Sequence, residues 1–186
     1  MILALLWSVF YYGWIVFELF IAISRRTKKE TGSVQDRGTQ ALLWVVIVVS
    51  LTGCEFIRRM LAPNMFAAAS IAGVIVLIGG LVVRCIAIVT LGKAFSANVA
   101  IKSAQTIQRT GIYAVLRHPS YSGLLLIFLG IGFHSRNWLG LAVAFLPTTA
   151  ALLYRIRIEE AALSKTFGQE YLAYSRTTKR LVPGVY

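Results

Sequence analysis

Apolar residues fill the chain in five runs separated by polar breaks: Ile2–Ile23, Ala41–Ile57, Phe66–Leu91, Tyr121–Phe133, and Trp138 to about Tyr154. A helix that crosses a bilayer needs about 20 mainly apolar residues. The pattern therefore predicts an all-α fold, a polytopic membrane helical bundle of about five transmembrane helices. The fourth run is marginal. It must use Pro119 and Ser120 at one end, or sit tilted among its neighbours. The break Ser135–Trp138 is so short that the last two runs should form a tight antiparallel hairpin. There is no internal repeat and no low-complexity tract, so residues 1–186 read as one membrane domain, with two N-terminal spans inside residues 1–60.

Composition agrees. Of the 186 residues 58% are hydrophobic, and the mean hydropathy is +0.73. That is too apolar for a soluble domain of this size. The first run lacks a basic region before it and a small-residue cleavage site, so it reads as a retained span. Cys54 and Cys85 lie in apolar runs with no Cys/His cluster and read as small buried hydrophobes. Two histidines and no HExxH motif give no metal site.

The net charge of +12 points to membrane topology rather than to nucleic acid. The segment 24–40 holds Arg25, Arg26, Lys28, Lys29 and Arg37. The segment 92–118 holds Lys93, Lys102, Arg109 and Arg117, and the tail adds Arg155, Arg157, Lys165, Arg176, Lys179 and Arg180. The other side has only Arg58, Arg59 and Arg136, with Arg84 inside the third run. Lys and Arg accumulate in cytoplasmic loops. The N-terminus is expected outside, and the segment 92–118 and the C-terminal tail share the cytoplasmic side.

Several polar groups need a reason. Glu18 and Arg84 lie inside apolar runs, where a charge costs about 2.5–3.5 kcal/mol on insertion scales. Either they snorkel to the membrane edge or they face inward and pair. Gly79, Gly80 and the other glycines of the spans are expected to permit close helix approach. In GIYAVLRHPSYSG, residues 111–123, Pro119 lacks a backbone donor and so marks the first turn of the fourth span. Arg117 and His118 then sit at a helix N-terminus, where free N–H groups and the dipole favour anions. A plain alternative is a basic membrane anchor flanked by Tyr113 and Tyr121.

The second polar group is RIRIEEAAL, residues 155–163. Arg155 and Glu159 share a helix face. Glu159 and Glu160 either balance Arg155 and Arg157 or hold a ligand's ammonium group. Leu163, Phe167, Tyr171 and Tyr174 recur at helical spacing, as in an amphipathic helix on the membrane surface. Together these groups would give one cytoplasmic pocket a basic end, a carboxylate and aromatic walls. S-adenosylmethionine (SAM), a zwitterionic amino acid joined to an aromatic base, fits such a pocket. NADPH would also suit its basic end.

The stretches QTIQRTGIYAVLRHPSYSG, RIRIEEAAL and FGQEYLAY, in this order and spacing, resemble the isoprenylcysteine carboxyl methyltransferase family of SAM-dependent integral membrane enzymes. The likeness covers roughly residues 90–186. It implies that this half is the cofactor-binding catalytic part, with a C-terminal cytoplasmic helix closing the pocket. By the resemblance, Gln105, Thr106, Ile107, Gln108, Tyr113, His118, Pro119, Ser120 and Tyr121 line the SAM pocket. Glu159 would hold the SAM amino group, and Arg155 would orient the acceptor carboxylate. Asn98 matches a further polar lining position. Gln105 and Gln108 depart from the family's usual His and Val.

A carboxylate acceptor is already ionised at neutral pH, so its methylation needs alignment and exclusion of water rather than a strong base. A lipophilic acceptor would enter from the bilayer, between spans, and meet SAM from the cytoplasm. Two alternatives carry related motifs: NADPH-dependent sterol-type membrane reductases and phospholipid N-methyltransferases. The expected partners are membrane lipids and the lipophilic acceptor, with no nucleic acid.

Overall fold

The computed structural model describes residues 1–24, 32–34, 36, 38–102 and 106–184. Its helices are α1 (Ile2–Ser24), α2 (Thr39–Met60), α3 (Ala69–Leu91), α4 (Pro119–His134), α5 (Trp138–Phe167) and α6 (Gln169–Thr177). Two three-residue strands, β1 (Gly32–Val34) and β2 (Ala100–Lys102), form an antiparallel ribbon. The ribbon is the departure from an all-helical chain among the described residues, and it ties the segment before α2 to the segment after α3.

Helices α1, α2, α3 and α5 are long and apolar enough to cross a membrane. With 16 residues, α4 is about 24 Å long, which leaves it shorter than the ~30 Å hydrocarbon layer. It is sheltered by its partners instead. Gly73 and Gly80 of α3 face Gly130 and Gly123 of α4. A Cβ on Gly80 would lie 2.7 Å from the Gly123 carbonyl, and one on Gly73 would lie 2.6 Å from the Gly130 carbonyl. The seven-residue spacing on both helices makes an antiparallel seam where backbones nearly touch. Gly79 meets nothing within 4 Å, so the close-approach role expected of Gly79–Gly80 belongs to Gly80 alone.

Most of α1 faces outward, with Leu5, Val9, Tyr12, Val16 and Phe20 exposed, as suits a helix in lipid. Its inward stripe is Trp14, Glu18 and Ile21. The Trp14 ring meets Phe128 of α4 edge-on at 5.6 Å. Glu18 neither snorkels nor stands alone. Arg84 of α3 binds it through two N–H groups, at 2.5 and 2.7 Å. The remaining Arg84 donors reach Ser120 of α4, its carbonyl at 2.9 Å and its hydroxyl at 2.8 Å. The two expensive charges thus cancel inside the bundle.

The expected hairpin of the last two runs is present. Asn137 caps α5, its side chain accepting from the N–H groups of Leu139 and Gly140, as Asn does at an N-cap. At the same end, Arg136 O accepts from Asn64 N and Met65 N, and the rings of Trp7 and His134 stack at 3.5 Å. The helix that follows does not stop near Tyr154, because nothing in RIRIEEAALSKTF breaks a helix. It runs 30 residues to Gly168, which terminates it at φ 54. At about 45 Å it outreaches the bilayer, and its last turns carry Arg155, Glu159 and Glu160 beyond the apolar run.

Candidate active site

The site lies at the end of the bundle where α4 begins. Arg117 N and His118 N donate to the carbonyls of Lys179 and Arg180, and Lys179 N donates to Val115 O. The Ser122 hydroxyl donates to Leu181 O at 2.6 Å. The tail after α6 is therefore zipped along residues 115–118 as a strap. The N–H groups of Tyr121 and Ser122 both turn back to His118 O. The helix start expected to offer free donors to an anion has thus spent most of them within the protein.

The two adjacent glutamates part company. Glu160 accepts from Arg117 Nε at 2.9 Å and Arg180 Nε at 2.9 Å, with His118 Nε2 at 3.4 Å. Arg117 also donates Nη1 to the carbonyls of Ser175 and Thr178. That cluster knots α5, the start of α4 and the strap together. The charges balancing Glu160 are Arg117 and Arg180 rather than Arg155 and Arg157. Glu159 instead faces open space, with its side chain 31% exposed. Its Oε2 accepts the Tyr121 hydroxyl at 2.7 Å, and Oε1 accepts nothing among the described residues. The His118 ring stacks on Tyr121, with centroids 5.6 Å apart.

Two cavities meet here. The larger encloses about 1020 Å³, counting the part open to solvent. Its apolar side is built from α1 and α2, including Ile21, Leu43, Trp44 and Ile47, and its polar side from Asn98, Ser120, Tyr121 and Glu159. The smaller, about 490 Å³ on the same measure, is lined by Thr106, Ile107, Gln108, Phe167, Tyr171 and Tyr174. Leu91, Tyr113, Arg117, His118, Glu159 and Leu163 line both and separate them.

The residues singled out from sequence thus converge, with exceptions. Asn98, Ser120 and Tyr121 face the larger cavity, Thr106 to Gln108 the smaller, and Tyr113, His118 and Glu159 both. Pro119 is fully buried and shapes the turn without lining either cavity. Gln105 lies outside the described residues.

Arg155 also lines neither cavity. It is 2% exposed. Nε donates to the Tyr121 hydroxyl at 2.9 Å, Nη1 to Asp36 at 3.0 Å and Thr39 at 2.9 Å, and Nη2 to Ala97 O at 2.6 Å. Asp36 in turn accepts from Val99 N and Gln40 N. Burial acts to raise the Asp36 pKa, but the hydrogen bonds from Thr39, Gln40 and Val99 and the Arg155 charge outweigh it and hold the carboxyl below its ordinary value.

Sequence reasoning did not place Glu18, Arg84, Gln40 or Trp44 at the cavity, nor Asp36 beneath it. For Asp36 the available signal was the chain's single aspartate, near the start of a span in a strongly basic segment.

Comparison with known proteins agrees with this architecture. The sequence model of the phospholipid methyltransferase family matches residues 68–170. A probable protein-S-isoprenylcysteine O-methyltransferase of Oryza sativa subsp. indica is 31% identical over 143 residues, covering 74% of this chain and 75% of that protein. The protein-S-isoprenylcysteine O-methyltransferase of Saccharomyces cerevisiae is 34% identical over 107 residues, covering 56% of this chain and 45% of its own length. Among solved structures, a eukaryotic intramembrane Ras methyltransferase, an isoprenylcysteine carboxyl methyltransferase, superposes with a TM-score of 0.66 at 29% identity, over 78% of this chain and 53% of that one. These matches are to methyltransferases, not to the reductases that share the Arg-His-Pro motif. The integral membrane bundle with its paired cavities therefore belongs to the isoprenylcysteine carboxyl methyltransferase family.

Proposed function

We propose that the protein transfers a methyl group from SAM to the carboxylate of a lipophilic, prenylcysteine-type acceptor at the cytoplasmic edge of the membrane. The observation that carries this reading is the pair of cavities separated by a shared lining that includes Tyr113, Arg117, His118 and Glu159. One is apolar on the side of α1 and α2 and suits a lipid chain entering between those helices. The other is lined by aromatic and polar groups from the segment 106–108 and from α5 and α6, and suits the nucleoside and amino acid of SAM. The relatives' substrates, as their names give them, point the same way.

Bound in the smaller cavity, SAM would supply an electrophilic methyl group on a sulfonium, and a carboxylate acceptor would have no proton to lose. The protein's part is binding, alignment and exclusion of water. Glu159 would take the SAM ammonium through Oε1, a role supported by the Tyr121 hydroxyl, which holds its other oxygen. Arg155, held by Asp36, Thr39 and Ala97, acts through Tyr121. An acceptor carboxylate that reached Arg155 directly would have to compete with the partners that hold it. The basic segments 24–40, 92–118 and 155–180 support a cytoplasmic site and an N-terminus outside.

The reading to test against is an amine acceptor, which the name of the phospholipid methyltransferase model raises. The test is transfer of labelled methyl from SAM in lipid nanodiscs, with an S-prenylcysteine bearing a free carboxylate or with phosphatidylethanolamine. Label released as methanol by mild base identifies a carboxyl ester. Label stable to base on phosphatidylethanolamine would overturn the carboxylate reading in favour of the amine.

A further inference from the structure

Three tyrosines line the smaller cavity: Tyr113, Tyr171 and Tyr174. Two have spent their hydroxyls on the protein. Tyr113 donates to Ala87 O at 3.3 Å, and Tyr174 donates to Tyr113 O at 2.7 Å. Tyr171 is as buried as either, 3% exposed, yet its hydroxyl oxygen has no hydrogen-bond partner among the described residues. Buried hydroxyls are nearly always paired, and an exception calls for a specific reason. Tyr171 sits in α6, its ring 6.1 Å from Tyr174 in an edge-to-face arrangement, so its aim is fixed by packing.

The charges acting on this hydroxyl include those of Glu160, Arg117 and Glu159. Glu160 is consumed by Arg117, Arg180 and His118. Glu159 leaves one oxygen toward the cavities, a place for a cation. Arg117 lines both cavities, and its Nη2 makes no hydrogen bond among the described residues. An amino-acid ligand brings an ammonium and a carboxylate on one carbon, so the anion must find donors close to where the cation binds. Arg117 Nη2 and the Tyr171 hydroxyl are two such donors on the lining of the smaller cavity. Burial pushes the Tyr171 ionisation up, and the phenol therefore remains a donor throughout the neutral range.

We propose that the Tyr171 hydroxyl, with Arg117, binds the α-carboxylate of the cofactor's amino-acid end, opposite the ammonium held by Glu159. This rests on the reading that the smaller cavity takes SAM. It assigns a contact to α6, which otherwise only closes the site.

The test compares SAM with decarboxylated SAM, which keeps the ammonium and lacks the carboxylate. Binding of each is measured by calorimetry on protein in nanodiscs, for the wild type, Tyr171→Phe and Glu159→Gln. Tyr171→Phe should weaken SAM about tenfold, as loss of one hydrogen bond to a charged group does, and leave decarboxylated SAM unchanged. Glu159→Gln should weaken both. Removing an orphaned hydroxyl should not lower the melting temperature of the ligand-free protein. Unchanged SAM affinity in Tyr171→Phe, an equal loss for both ligands, or a lowered ligand-free melting temperature would each overturn the assignment. A wild type that binds neither ligand would overturn the cofactor reading itself, a result distinct from the other three.

Discussion

Tyr121 donates its hydroxyl hydrogen to Glu159 across 2.7 Å while the same oxygen accepts from Arg155 at 2.9 Å. One phenol thus couples the carboxylate facing the cavities to a cation buried behind them. Tyr121→Phe should free Glu159 to rotate and leave Arg155 Nε unpaired, weakening SAM binding about tenfold. Because Tyr121 acts through Glu159, the double variant Tyr121→Phe/Glu159→Gln should be little worse than Glu159→Gln alone, with a coupling of about 1 kcal/mol or more. Calorimetric titration of the four proteins measures it. Strictly additive losses would show that the tyrosine contacts the ligand independently.

The Glu18–Arg84 pair should behave as a buried unit. Removing one partner of a buried pair leaves an uncompensated charge and typically costs about 3–5 kcal/mol, whereas replacing both by apolar groups of similar size is often neutral. Arg84→Met is therefore expected to lower thermal stability in detergent sharply, and Glu18→Leu/Arg84→Met to recover most of it. Recovery will not be complete, because Ser120 also loses the two bonds that Arg84 makes to it. A double variant as unstable as the single one would assign the damage to the hydrogen bonds lost at Ser120 and at Trp14, whose Nε1 donates to Glu18 at 2.9 Å, rather than to the charge.

Much of this architecture was legible because lipid and helix geometry leave local marks. The apolar runs, the short break at Ser135–Trp138 that makes the hairpin and the Pro119 helix start follow from residues adjacent in sequence. Among the residues facing the cavities, Asn98 and residues 106–108 were legible only as a family likeness, since nothing in Thr106 or Ile107 alone speaks of a ligand. What stayed hidden depends on contacts distant along the chain. Glu18 and Arg84 meet across 66 positions, and Asp36 and Arg155 across 119. A single sequence contains each charge but not the pairing, so it shows Arg155 as a candidate for the acceptor carboxylate without showing that its donors meet Asp36, Thr39, Ala97 and Tyr121.

The glycine seam gives a contrast between neighbours. A Cβ on Gly80 would press on the Gly123 carbonyl at 2.7 Å and on Ile127 N at 2.8 Å, both backbone atoms that cannot turn aside. Gly80→Ala must push α3 and α4 apart and should cost roughly 1–3 kcal/mol, the range for overpacking. Gly79→Ala meets open space and should stabilise by up to about 1 kcal/mol through helix propensity. Thermal melts of the two single variants decide this. Equal effects would mean that the two helices are not in contact along this seam.

Asp36 sets an acid limit on stability. Its folded pKa lies below the ordinary value, so its contribution is fully present above the unfolded pKa of about 3.9 and is lost as pH falls through the folded value. Asp36→Asn keeps the shape, removes the charge and leaves Arg155 with one fewer anionic partner. The variant should melt below the wild type at pH 7, and the gap should close as the pH is taken below about 4, where the native carboxyl also becomes neutral. Melting temperatures measured from pH 7 downward in one detergent test the sign directly. A gap that stays constant or widens in acid would mean that the Asp36 charge is no more stable in the folded protein than in the unfolded chain, and that the clamp on Arg155 rests on Thr39, Ala97 and Tyr121 instead.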